Sequence, residues 1–222
     1  MAIIKDFGVV LKEYDIGENN KRLVLLTRSH GKLTVFARGA RRTGSKLATG
    51  LFSYNEFVIY DGGSFFSLSA VVPMHMFDGI ATDYDKFCFA CCFLEMVDKM
   101  TLASMDTRET LQILLCALAE LVRPDGRHKP ETVFAVFVIK LLKNEGFAPL
   151  VGGDIVQTGE ISLQLSPETA HAFTYIMEAN SKEMFAFAAS DDVARQLYRA
   201  ARLFVAENVD VKLKSLEMIV DD

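Results

Sequence analysis

The chain has 222 residues, half of them hydrophobic and 24% charged, and a net charge of −5. That composition excludes a disordered chain and suits one large or two smaller globular domains. No apolar run approaches the roughly 18 residues of a membrane span, and Met1–Phe7, interrupted by Lys5 and Asp6, does not read as a targeting segment, so a cytoplasmic protein with no membrane partner is expected.

Residues 1–75 read as strands. "FGVVLKEY" (7–14) is apolar and β-branched, and "DIGENN" (15–20) is a turn cluster. "KRLVLLTR" (21–28) and "KLTVFAR" (32–38) flank "SHG", a short hairpin loop. In the second of these, Leu33, Val35 and Ala37 alternate with Thr34, Phe36 and Arg38, which predicts two opposite faces. "LFSYNEFVIY" (51–60) and "SFFSLSAVV" (64–72) flank "DGG", a strong hairpin signal. Five short strands at hairpin spacing predict a small, closed or nearly closed β-barrel.

Beyond residue 80 the hydrophobic period becomes helical. Thr82 or Asp83 caps a helix to about Met100, apolar nearly all round and therefore central. Asp106 or Thr107 opens a second, which stops at Pro124–Gly126. Pro130 takes a first helical position in a third that ends at Gly146. Ser166–Pro167 opens a fourth, and Ser190 caps a fifth running to about Asn208. Between the third and fourth lies 147–165, with short alternating stretches and a small hairpin at Thr158–Gly159. The boundary falls near residue 80, giving 1–79 as one domain and 80–222 as the other.

The charge is segregated. Residues 1–50 carry ten Lys/Arg against four Asp/Glu, whereas the remainder carries 14 against 25. Phosphate attraction acts locally, since salt screens it beyond about 8–10 Å, so a basic segment on an acidic protein favours a polyanion-binding face. "ARGARRTGSK" (37–46) is its densest part, with Arg38, Arg41, Arg42 and Lys46 and no acid. Gly39 and Gly44 have the spacing of a phosphate-binding P-loop. Gly44 is followed by Ser45 and then Lys46, the reverse of the required order, and the segment leaves an antiparallel meander rather than a buried parallel strand. Gripping nucleic-acid phosphates fits better, because guanidinium groups bind phosphate oxygens bidentately. Lys21, Arg22, Arg28 and Lys32 precede the loop, and some of them must share a side with it. Phe36 shares the Arg38 face. It reads first as a packing residue and second as a platform for a base.

Other constellations are sparse. Cys88 and Cys91 have the spacing of half a zinc site, but no second pair exists, so Cys88, Cys91, Cys92 and Cys116 read as buried free thiols. His30, His75, His128 and His171 are scattered and form no triad or ligand pattern. No enzyme, metal or cofactor is expected. Arg195, Arg199 and Arg202 are spaced four and three, so they lie on one helix face. Such a stripe is ordinarily a solvated face. The alternative is a cationic patch shared with Lys140 and Lys143, with Phe137, Leu141, Leu197 or Tyr198 supplying an apolar pocket beside it.

The stretch from Gly8 to Gly62, with "HGKL", "ARGARR" and the following lysine loop, resembles the N-terminal domain of the RecO family of bacterial recombination mediators. "KLLKNEGFAP" (140–149), "LSPETAHAF" (165–173) and "LKSLEMI" (213–219) extend the resemblance over nearly the whole chain. It implies an α+β protein: a five-stranded OB-fold barrel followed by a mostly helical domain. It implies binding of single- and double-stranded DNA, strand annealing, and help with loading RecA, with RecR as partner. It also implies that the helical domain docks the acidic, phenylalanine-ended tail of single-strand-binding protein. The family's DNA contacts fall here on Arg38, Arg41, Arg42 and nearby Lys/Arg. Many relatives carry a four-cysteine zinc ribbon where this chain has 147–165, a segment without cysteine. The expected function is therefore a non-enzymatic recombination mediator. The rival is a barrel that serves as a protein-interaction adaptor and does not touch DNA.

Overall fold

The computed structural model describes residues 2–45, 47, 50–103, 106–209 and 212–219. They form two compact units, one of residues 1–78 with 101–111 and one of 79–100 with 112–222.

The first unit is a closed five-stranded barrel. Its strands are β1 (Ala2–Ile16), β2 (Asn20–Thr27), β3 (Lys32–Ala37), β4 (Ser53–Asp61) and β5 (Phe66–Met76), in the order β1-β2-β3-β5-β4. All neighbours are antiparallel except β3 and β5, which meet in parallel at Val35↔Phe66 and Phe36↔Ser67. This is the OB-fold arrangement. Val10, Leu23, Leu25, Val35, Phe57, Ile59 and Leu68 fill the interior, each on the inward phase of its strand.

Two strands outrun their local signals. β1 starts at Ala2 rather than Phe7, because Ala2–Asp6 pairs with Asp61–Phe57 of β4, a contact no local pattern reports. β5 runs through Pro73 to Met76. Pro73 sits opposite Asn55 beside a register shift, where a missing ladder donor is tolerated. Gly8 is needed where β1 crosses β2, since a Cβ there would lie 2.1 Å from the Leu26 carbonyl oxygen.

The segment 101–111, assigned from sequence to the helical part, packs with the barrel instead. Its buried Thr107 hydroxyl donates to the Thr27 carbonyl at 2.6 Å, a bond between positions 80 apart in the chain. That separation explains why local periodicity misses it.

The second unit contains α1 (Tyr84–Met100), most of α2 (Arg108–Leu121), α3 (Pro130–Asn144), α4 (Pro167–Glu178) and α5 (Asp191–Asn208). α3 is the core element, with every residue from Thr132 to Leu142 buried. Pro167 takes the first turn of α4, and Ser166 Oγ accepts from Thr169 N. Ser190 Oγ accepts from Val193 N to cap α5. Residues 150–164 form a three-stranded antiparallel sheet, β6 (Leu150–Gly152), β7 (Ile155–Thr158) and β8 (Ile161–Gln164). Val156 is its buried anchor. Glu95 of α1 accepts from Ser215 N and Oγ and from Lys214 N, tying residues 214–215 to α1.

Asp6 organises one end of the barrel. It is 3% exposed and accepts from Phe7 N at 2.8 Å, Ser29 N at 2.9 Å and His30 Nδ1 at 2.6 Å. Burial alone would raise its pKa, but the bonds from His30, Ser29 and Phe7 outweigh that and hold the carboxyl below the ordinary aspartate value. Asp6→Ala should lower unfolding stability by about 2–3 kcal/mol, the worth of hydrogen bonds to a charged group. The gap between wild type and Asp6→Asn should be fully present above about pH 4, the ordinary aspartate pKa, and should close as pH falls through the lower folded value. Urea denaturation at a series of pH values measures both.

Candidate nucleic-acid interface

The outer face of the barrel is built by register. Tyr14 of β1 lies opposite Arg22 of β2, and Arg22 lies opposite Phe36 of β3. Phe36 in turn neighbours Ser67 of β5. The result is a row across four strands in which an arginine stands between two aromatic rings. The Arg22 guanidinium carbon is 4.5 Å from the Tyr14 ring centroid, and Lys12 Nζ is 5.1 Å from it on the same ring. Phe36 is half-buried, so packing and exposure both apply to it. Thr34 and Arg38 continue its strand phase and are exposed.

The 38–45 segment leaves the end of β3 through Gly39, whose φ of +71° favours glycine. Gly39 N donates to Asn20 Oδ1 at 3.0 Å, and Arg42 N donates to Gly39 O at 3.1 Å. Arg41 is turned back on the β1–β2 turn: its Nη1 donates to Gly17 O at 2.9 Å, and its Nη2 lies 3.5 Å from Asp15 Oδ2. Arg38 and Arg42 are exposed and pair with no carboxylate among the described residues. Among the described residues the segment is followed by turn residues and then β4, with no helix N-terminus to complete the phosphate cradle of a P-loop.

The remaining cations expected from sequence separate. Lys21 takes the opposite strand phase from Arg22 and pairs with Glu13. Arg28 and Lys32 flank the β2–β3 turn, at the far end of the hairpin from Arg38. Lys46 lies outside the described residues. The structure thus groups Arg22, Phe36, Arg38 and Arg42 at one end and Arg28 with Lys32 at the other. Tyr14 and Lys12 were missed by the sequence reading. Continuing the pairing across the "DIGENN" turn would have placed both on the Arg22 face.

In the helical unit, Arg195, Arg199 and Arg202 line a groove of about 960 Å³ with Lys129, Tyr198 and Leu203. Arg195 is paired with Asp192 at 3.1 Å and Lys129 with Asp191 at 2.8 Å. Arg202 Nη1 donates to Tyr198 Oη at 3.0 Å. Arg199 pairs with no carboxylate among the described residues. Lys140 and Lys143 do not join this patch. They lie about two and three turns further along α3 than Thr132, which lines the groove, and donate instead to the Ala179 and Met177 carbonyls at the end of α4. There they serve as C-terminal helix caps. Phe137, Leu141 and Leu197 are fully buried and cannot line a pocket, leaving Tyr198 and Leu203 as the groove's large apolar surface.

Among the described residues, no group of three or more His, Cys, Asp or Glu is placed to hold a metal ion. Cys88 and Cys92 are buried. Burial pushes the Cys91 thiol up to about 11 and the Cys92 thiol up to about 12, which suits packing rather than nucleophilic chemistry. No helix is long and apolar enough to cross a membrane, among the described residues.

The geometry separates anchoring from exposed arginines. Arg41→Ala should raise amide exchange over residues 17–20 and 39–45 about fivefold, the loss expected for one net hydrogen bond. Arg42→Ala should leave that exchange unchanged. Hydrogen exchange on the two variants distinguishes the roles.

Comparison with known proteins agrees with this architecture. Residues 1–77 match the model of the Recombination protein O N-terminal domain, and residues 81–217 match that of its C-terminal domain. A DNA repair protein RecO of Acetivibrio thermocellus is 25% identical over 99% of this chain and 97% of its own length. One from Clostridium acetobutylicum is 24% identical over 99% and 98%. One from Alkaliphilus metalliredigens is 32% identical over 66% of this chain and 60% of its own. Two domain models in sequence order across an OB-fold barrel and a helical unit leave one assignment: the chain belongs to the RecO family and has a role in DNA repair and recombination.

Proposed function

We propose that this protein binds single- and double-stranded DNA on the outer β2–β3 face of its barrel and anneals complementary strands. The observation that carries this reading is the row Tyr14–Arg22–Phe36, continued by exposed Arg38 and Arg42. Aromatic faces stack bases without regard to sequence, and arginines track the backbone between them. Arg28 and Lys32 extend the cationic surface. Lys21, paired with Glu13, contributes less.

Annealing on such a surface needs no bond chemistry. Neutralising phosphates lowers the repulsion between two strands, and base pairing supplies the rest. The protein then acts as a mediator rather than an enzyme. Family membership supports a cytoplasmic role with RecR in loading RecA onto strands covered by single-strand-binding protein.

Arg38→Ala/Arg42→Ala should weaken binding to all sequences alike and lower the log–log salt slope by about 1.4, at ~0.7 per lost single-strand phosphate contact. Fluorescence anisotropy with a labelled single strand across a salt series measures this. Unchanged affinity and slope would favour the adaptor reading, in which the barrel meets protein and not DNA.

A second site is favoured by the groove of the helical unit. An acidic tail with an aromatic end needs cations for its carboxylates and an apolar surface for its ring. Arg199 and Arg195 supply the first, and Tyr198 and Leu203 the second. Contacts of this single-anchor kind give roughly micromolar affinity. Arg199→Glu should weaken binding of a synthetic tail peptide at least tenfold and leave DNA binding through residues 38–45 intact. Titration calorimetry with the peptide checks it.

A further inference from the structure

The β2–β3 turn carries a feature that the row at the other end of the hairpin does not use. Arg28, Ser29 and His30, together with Asp106 and Arg108, line a cleft of about 540 Å³. All of these residues belong to the barrel unit, because segment 101–111 is part of it. The cleft is built rather than incidental. Asp6 fixes Ser29 through its backbone N–H and His30 through its ring, and Thr27 Oγ1 donates to Gly31 O at 2.8 Å. The Thr107 bond to Thr27 O holds the opposite wall.

Its chemistry is that of a phosphate site. Arg28 is exposed and pairs with no carboxylate among the described residues. Arg108 is paired with Asp106, through Nε at 3.0 Å to Oδ1 and through Nη2 to Oδ2. Both side chains are mostly exposed, at 69% and 60%. Surface pairs of this kind contribute little in water, and guanidinium carries five donors, so a phosphate can share or displace Asp106. His30 and Ser29 add polar groups at the rim.

The position selects a polymer over a free anion. From Arg22 to Arg28 is six strand residues, about 20 Å at ~3.3 Å per residue. Along that line β3 presents Lys32, Thr34 and Phe36 on one strand phase, with Thr34 exposed. A path of about 20 Å corresponds to about six stacked nucleotides at ~3.4 Å each. We propose that the Arg28–Arg108 cleft is a second phosphate-binding station, and that a single nucleic-acid strand runs along β3 from the Arg38–Arg42 end into it. This inference rests on the reading of the barrel as a DNA-binding surface, and it adds Ser29, His30 and Arg108 to that surface.

The test uses full-length protein and labelled oligothymidylates, one of 4 nucleotides and one of about 12, the longer chosen to exceed the ~20 Å path. Wild type should bind the longer strand with a salt slope larger by about 1.4, at ~0.7 for each of two further single-strand phosphate contacts. Arg28→Ala/Arg108→Ala should remove that increment and weaken the longer strand at least tenfold, and should weaken the short strand less than Arg38→Ala/Arg42→Ala does. Arg28→Lys/Arg108→Lys should restore most of the increment, because lysine keeps the charge. Arg38→Ala/Arg42→Ala should weaken both lengths. If Arg28→Ala/Arg108→Ala binds both lengths with wild-type affinity and slope, the cleft is not a station on the strand, although the DNA-binding reading stands. If wild type binds neither length, the DNA-binding reading fails and takes this inference with it.

Discussion

The closure of the barrel rests on a short parallel contact between β3 and β5, at Val35↔Phe66 and Phe36↔Ser67. Closing the sheet there removes the open edges that a five-stranded meander would otherwise expose. It also prevents β3 and β4 from being neighbours. The chain must cross from the end of β3 to β4, which pairs with β1 and β5, and that crossing is residues 38–52. The arginine-rich segment therefore lies on the one connection that the topology forces to be long. The same contact sets Phe36 between Arg22 and Ser67. Topology, loop length and the aromatic–cationic row follow from one pairing.

Charge on this surface is sorted by partner. Arg41 is tied to Gly17 and Asp15, which lends the crossing segment a fixed starting direction. Arg38 and Arg42 extend from a segment so anchored. A mobile cation pays side-chain entropy when it binds, and anchoring the backbone beneath it lowers the part of that cost that arises from the loop. The turn at the far end of the hairpin is held in the same manner by Asp6, whose buried carboxylate is satisfied by three donors. Both ends of β3 thus present exposed arginines on backbone that hydrogen bonds have already ordered.

In the helical unit the cations are sorted differently. Lys140 and Lys143 cap the C-terminal end of α4, where orphan carbonyls and the helix dipole favour positive charge. The arginines of α5 face a groove instead. Residues 150–164 close their small sheet with backbone pairing and the buried Val156, without cysteine. A three-stranded antiparallel sheet with an apolar anchor is the minimum that holds together by such means.

By itself the sequence determined most of the elements and their order, although β6 of the 150–164 sheet was not among them. The caps at Ser166 and Ser190, the proline at 130 and the hairpin at 61–63 are local chemistry, and each sits where the pattern puts it. The barrel, the helical unit and the segregated charge were legible for the same reason, since strand and helix periods and local charge density need no distant partner. Tertiary structure alone decided which cations act together. Strand alternation alone turns the adjacent Lys21 and Arg22 to opposite faces, but only the folded register sets Arg22 between Tyr14 and Phe36. Arg41 and Arg42 are adjacent yet differ in role, because only one reaches Asp15. Arg108 joins Arg28 through a bond between residues 80 apart. Register, turn direction and long-range hydrogen bonds are properties of the folded pairings, so no window of sequence contains them.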